Sequence, residues 1–482
     1  MRGLVFGFAG RATSVSSEAA LDAGVFDNRF AFPYRQDRAT NPSRPVDARP
    51  SSPPPSPVHR AMHRAERPLD WLVVGGGIHG THLTRVLLEA GVRRSRIRVV
   101  DPEPELLAVW TEHTTRTGMR YLRSPGVHHL GLDPFDLFRF AGRRRARRRD
   151  LFKGQRRRPL LSLFQDHARH VIGESGLQEL HLRARVTGMD PSGPGGFRVE
   201  TDRGGLHARR VLLCVGGGGA PSDPSWVESA RSQGAPITHL FGPDLPWEDL
   251  LEQARRTGLP VAVVGGGISA GQFALRVIHD GGTAALLLRH ELRVESLDAD
   301  PGWLGPKNLK SFHAETDPAT RRHLVQSARH RGSMPPEVAG AVRACAEAGG
   351  LDLRCNTNPV GCHRTTTSCG GDRWELILRT EGDEERTVPV SSVVLATGIG
   401  HATDTYADSG FPGGLWLQRL AREREFPTAP CGFPVPDSAL QWIEGLHVSG
   451  ALAELEVGPV AKNIVGARMA ARRIDAVARS LS

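Results

Sequence analysis

The chain has 482 residues, 39% of them hydrophobic and 24% charged, a composition that allows a large buried core without disulfide or metal staples. It contains no run of about 18 apolar residues, so no membrane-spanning helix is expected, and the six cysteines include no CxxC pair, which excludes zinc ribbons and a thioredoxin-like redox motif. The net charge is +10, but nine arginines and Lys153 between Arg143 and Arg158 carry most of it, so the chain does not read as a general nucleic-acid binder.

Residues 1–68 read as a Pro/Arg/Ser-rich tail that cannot bury enough apolar surface to offset its ordering entropy. The short apolar run over residues 3–9 ends at Arg11 without a clear cleavage site, so no leader is expected. Reduced thiols then point to a cytoplasmic protein, and no cysteine or histidine spacing suggests a metal site.

Trp71–Val74 is a continuous apolar run, as a strand buried on both faces requires. Gly75, Gly77 and Gly80 follow at GxGxxG spacing, then a helical pattern, then a second strand that ends at Asp101. This strand–turn–helix–strand unit recurs: Val261–Val264, then Gly265, Gly267 and Ala270, a helix, and a strand that ends at Arg289. The first glycine permits the bend, the second lets a pyrophosphate approach the backbone, and the third position packs helix on strand. Each helix N-terminus then offers free N–H groups to phosphates. Asp101 can accept both hydroxyls of a ribose, which suits FAD. Arg289, with Arg293 near it, suits the 2′-phosphate of NADPH. The expected fold is therefore α/β, with two Rossmann-like, doubly wound dinucleotide-binding domains.

FAD first and NADPH second resembles the two-dinucleotide-binding flavoproteins over roughly residues 69–475. The resemblance implies that the NADPH domain is inserted in the FAD domain: residues 69–254 and 392–482 for FAD, 255–391 for NADPH. Ala396, Thr397 and Gly398 match the family's ATG turn, where the chain is expected to return to the flavin domain. Gly458 and Pro459 resemble the terminal element placed under the flavin ring. Among these flavoproteins, Trp110, Met119 and the loop after them resemble the lysine and ornithine N-hydroxylases, as do residues 303–312. That implies a monooxygenase in which reduced flavin and O2 form a C4a-hydroperoxyflavin that oxygenates an amine or other soft nucleophile. Arg120 replaces the family's glutamine and residues 121–125 replace its FLKDL-like run, so the resemblance does not extend to lysine or ornithine as substrate. Arg120, His128 and His129 are the candidate substrate or catalytic contacts, and Arg116, Arg120 and Arg123 are expected to lie together beside Tyr121. Two rival readings remain: an NADPH-dependent reductase serving a protein or quinone, and a non-catalytic flavin-binding regulator. The segment from Arg143 to Arg158 reads either as a solvated surface or as a site for an anionic partner.

Overall fold

In the computed structural model, Trp71–Val74 is buried along its whole length and pairs in parallel with Val211–Leu213 on one side and Ile97–Asp101 on the other. The sheet continues to His181–Arg183 at one edge and to Leu446–Val448 and Gln441–Ile443 at the other; Gln441–Ile443 alone runs antiparallel. The structure describes residues 67–480 apart from 144–150, 194–195, 217–220, 222, 244, 367–371, 383 and 400–414. Residues 1–66 of the N-terminal tail and residues 144–150 of the basic segment lie outside the described residues.

The second sheet is wholly parallel, in the order Ile237–His239, Ser392–Leu395, Val261–Val264, Ala284–Leu287, Leu351–Arg354. Its three inner strands are fully buried, as their unbroken apolar sequences require. The chain leaves the first sheet after Val211–Leu213, completes the second, and returns for its last two strands. One domain is therefore inserted in the other.

The insertion is wider than the expected 255–391. Ile237–His239 and Ser392–Leu395, assigned from sequence to the flavin domain, pair with each other, and Ser392–Leu395 pairs in turn with Val261–Val264 within the second sheet. Ser392–Leu395 is the last strand of the second sheet in chain order; Ala396 N–H donates to Val264 O at 2.8 Å at its end, and the chain leaves that sheet at the Ala396–Thr397–Gly398 turn, so it is the 391/392 boundary that moves. The reason is pairing. An apolar strand followed by Thr-Gly ends a central strand of either domain equally well, and only its neighbours decide which.

Four helices frame the glycine turns and the terminal segment. Helix α1 (Ile78–Glu89) leaves the first glycine turn and packs along α4 (Ile464–Arg479). Helix α2 (Ile268–His279) leaves the second glycine turn. Helix α3 (Pro318–Ser327) belongs to the inserted domain and is capped by Asp317, whose carboxylate accepts from Ala319 and Thr320 N–H. The first core joins Trp71, Leu83, Leu213, Leu452 and Ile474; the second joins Val263, Phe273, Leu286 and Val342.

Candidate active site

The two glycine turns have the same design. At Gly75, φ is +105°, and a Cβ there would lie 2.4 Å from Cys214 O; at Gly80 it would lie 1.8 Å from Gly75 O. At Gly77 a Cβ would meet nothing within 4 Å. The first and third glycines are thus demanded by the protein's own backbone, whereas the second faces open space. In the second turn, φ at Gly265 is +148° and a Cβ would lie 2.6 Å from Ala396 O, while Gly267 again faces open space, its nearest neighbour being Gly332 Cα at 3.9 Å. Neither α1 nor α2 has an acidic residue in its first turn, so both N-termini can accept an anion.

Asp101 accepts Gly76 N–H at 2.6 Å on Oδ2 and Glu103 N–H at 2.9 Å on Oδ1. A carboxylate has about four acceptor sites, so it keeps capacity for a ribose. Arg289 opens onto a cavity of about 530 Å3 together with Arg293, Glu295, Arg329 and Arg331. Arg289, Arg293 and Arg331 have no ion-pair partner among the described residues, so the cavity carries surplus positive charge. Arg329 closes its far end by donating to Pro459 O at 2.9 Å and to Glu454 Oε2 at 3.0 Å.

The Gly458–Pro459 element is held from the inserted domain. Gly458 has φ +88° and stands next to Trp303, Leu309 and Phe312. Glu454, fully buried, pairs with Arg322 and Arg329, and Lys462 Nζ lies 3.8 Å away. Glu456 pairs with Arg321 of α3 and Arg473 of α4, both at 3.3 Å; burial pushes its carboxyl above the usual range, against the pull of Arg473 and its other cationic neighbours. Burial drives the Lys462 ammonium well below its ordinary value, and the guanidinium groups of Arg329, Arg322 and Arg331 add to this. Further arginines brace the domains elsewhere: Arg158 pairs with Glu337, Arg116 donates to Gly242 and Pro243 carbonyls, and Arg276 donates to Arg116 O at 2.8 Å.

A second, narrower crevice lies between the domains, walled by Ser124 and His128 on one side, Asp298 and Leu304 on another, and Val460 and Asn463 on a third. It adjoins the first glycine turn, because His79 of α1 bonds Ser449 Oγ at 2.8 Å and Asn463 O at 3.2 Å. The His128 main-chain N–H donates to Pro125 O at 2.9 Å, and its imidazole has no hydrogen-bond partner among the described residues. Burial, aided by Arg468, holds its pKa down at about 4, so at neutral pH it presents an uncharged imidazole to the crevice.

The loop arginines do not cluster as expected. Arg123 Nη1 donates to Asp298 at 2.6 Å, and Nη2 to Glu295 O, Leu297 O and Ser333 Oγ. Arg116 is taken up by Glu112 and the two carbonyls. Arg120 is exposed and sits over the Tyr121 ring at 5.6 Å. Long side chains found their acceptors in the other domain, which adjacency in sequence does not reveal. His129 also differs from His128: Nδ1 accepts Gly131 N–H at 3.0 Å and Nε2 donates to Pro134 O at 3.0 Å. It lies within metal-ligand distance of Asp136 and His167, but both of its ring nitrogens are spent on main chain, leaving that cluster one ligand short. Trp110 and Met119 are half-buried and pack with Leu107, Leu122 and Phe164 near the start of α1. Sequence reasoning passed over His79, Arg329, Arg331, Asp298 and Glu454; the only sequence signal was a histidine inside the first glycine motif.

Among the described residues, no helix is long and apolar enough to cross a membrane. Residues 72–218 match the model of a family described as FAD-NAD(P)-binding. No curated protein matches the chain. Among solved structures, the ornithine N-hydroxylase of Kutzneria sp. 744, holding reduced FAD, NADP+ and L-ornithine, superposes with a TM-score of 0.64 at 17% identity, covering 86% of this chain and 100% of that one. The reduced ornithine hydroxylase of Pseudomonas aeruginosa gives 0.63 at 17%, over 86% and 99%. L-lysine 6-monooxygenase of Pseudomonas syringae gives 0.61 at 18%, over 86% and 99%. These likenesses establish that the chain shares the two-domain fold of those enzymes.

Proposed function

We propose that the protein is an FAD- and NADPH-dependent monooxygenase that oxygenates an amine or other soft nucleophile, with O2 as co-substrate. The observation that carries this reading is the duplicated glycine turn, each copy with an open second glycine and an acid-free helix N-terminus, one leading to Asp101 and the other to an arginine-lined cavity. Gly75, Gly77, Gly80 and Asp101 would hold FAD, with Trp110 and Met119 beside them. Gly265, Gly267, Ala270 and Arg289 would hold NADPH, with Ala396, Thr397 and Gly398 backing that turn. FAD, when bound, supplies hydride acceptance and the activation of O2.

The chain's own residues do the rest. Gly458 and Pro459 are pinned by Arg329, and the N-terminus of α4 comes directly after them. His128, uncharged and held at about 4 by burial, is too weak a base to take an ammonium's proton, but an idle ring nitrogen can accept an N–H of a substrate amine that has already lost that proton to solvent, which orients the amine with its lone pair free to react. The fold shared with ornithine and lysine hydroxylases supports this reading over a disulfide reductase. So do the cysteines: the five described are all unpaired, and the Cys214 thiol, pushed up by burial against the first turn, is a poor nucleophile. A cytoplasmic location accords with these thiols.

Heat release of the cofactor from purified protein is expected to yield FAD, and stopped-flow reduction is expected to be faster with NADPH than with NADH. Recovery of FMN, absence of flavin after reconstitution, or equal rates with both nucleotides would contradict the proposal.

A further inference from the structure

The crevice between the domains restricts the substrate. Its volume is about 30 Å3, room for one or two water-sized groups, so it admits a slim chain end rather than a branched head. Leu304, Val460 and Val465 give it an apolar wall.

Among the described residues that line the crevice, Arg123 is the only guanidinium or ammonium. Arg123 is committed to Asp298, two carbonyls and Ser333. Arg468, behind His128, donates to the carbonyls of His129, Gly131 and Leu132. Arg329 is held by Pro459 O and Glu454. His128 is uncharged at neutral pH. A carboxylate entering here would lose its hydration without a countercharge, which is strongly unfavourable.

The acid side is different. Arg123 takes only Oδ1 of Asp298. The Asp298 side chain is 45% exposed and lines the crevice, so Oδ2 can accept an N–H.

We infer that the crevice takes an amine that carries no carboxylate, with Asp298 accepting an N–H of that molecule and the aliphatic wall covering its methylenes. This rests on the monooxygenase reading for the chemistry but not for the recognition, and binding and turnover can be measured separately.

The test uses matched pairs that differ by one carboxylate, cadaverine against L-lysine and putrescine against L-ornithine. Each is titrated calorimetrically into the full chain reconstituted with FAD. The diamines are expected to bind at least about tenfold more tightly than their amino acids. Asp298→Asn keeps an oxygen for Arg123 but removes its countercharge; it is expected to weaken cadaverine binding about tenfold while the protein keeps its full FAD content. Amino acids that bind as well as the diamines, or diamines that do not bind, overturn the inference; unchanged cadaverine affinity in Asp298→Asn removes Asp298 from it. NADPH-dependent product formation is assayed on the same preparation. A diamine that binds and is never oxygenated contradicts the monooxygenase reading and leaves the inference standing. Oxygenation of lysine or ornithine with affinity equal to the diamines does the reverse.

Discussion

Arg289 is exposed at the mouth of a cavity that also holds Arg293 and Arg331, neither of them ion-paired among the described residues. A charge-assisted contact to a 2′-phosphate is worth about 1.5–3 kcal/mol. Arg289→Ala should therefore raise the KM for NADPH roughly 10- to 100-fold and leave that for NADH nearly unchanged, as steady-state kinetics with both nucleotides will read. Equal losses for both would assign Arg289 to the shared part of the nucleotide. Buried histidines make a second prediction at this scale. Burial depresses His79 to about 4, and His82 and His129 to about 3, so the unfolded chain binds more protons than the native one once pH falls below about 6.5. The contribution of these histidines should be complete above that pH and fall on acidification, by up to about 1.4 kcal/mol per pH unit for each histidine down to its native pKa. Urea denaturation at pH 8, 6 and 5 checks this; equal stability across the range would contradict it.

The glycine turns were legible because each completes its contacts within a short stretch of chain, and apolar runs, glycine spacing and helical periodicity all report on the same local geometry. The elements that were misplaced depend on distant partners. Ser392–Leu395 could have joined either sheet, and only pairing with Val261–Val264 settles it. Arg123 lies 175 residues from Asp298, and His79 lies 370 and 384 residues from Ser449 and Asn463; local pattern carries no trace of such pairs. The division of labour in the turn is testable. Gly80→Ala drives a methyl group into Gly75 O and should cost more than about 2 kcal/mol or prevent folding. Gly77→Ala should leave the melting temperature of the flavin-free protein within about 2 °C and lower flavin content, because the added methyl occupies only the open approach. Loss of stability in Gly77→Ala, or retention of full flavin, would contradict this assignment.

At the scale of the molecule, the abundance of arginine has a use that composition alone did not suggest. Arginines of the inserted domain (Arg321, Arg322 and Arg329) grip two acids of the terminal flavin-domain segment, and Arg116, Arg123 and Arg158 reach the other way. The planar fork suits such bidentate and carbonyl contacts better than an ammonium. Glu454→Gln would leave Arg322 and Arg329 buried without their countercharge, at about 3–5 kcal/mol. A two-step unfolding transition, with the domains separating first, is the expected calorimetric result; an unchanged single transition would show that the network does not hold the domains together. The whole arrangement has one central consequence: electrons from NADPH should reach O2 and leave an oxygen atom on a nucleophilic substrate. Turnover under isotopically labelled dioxygen, with amine products read by mass spectrometry, tests it most directly. One labelled oxygen per product, with NADPH consumed in equal amount, is the result predicted; NADPH oxidation that proceeds without dioxygen, or that yields only peroxide with every amine tried, would contradict it.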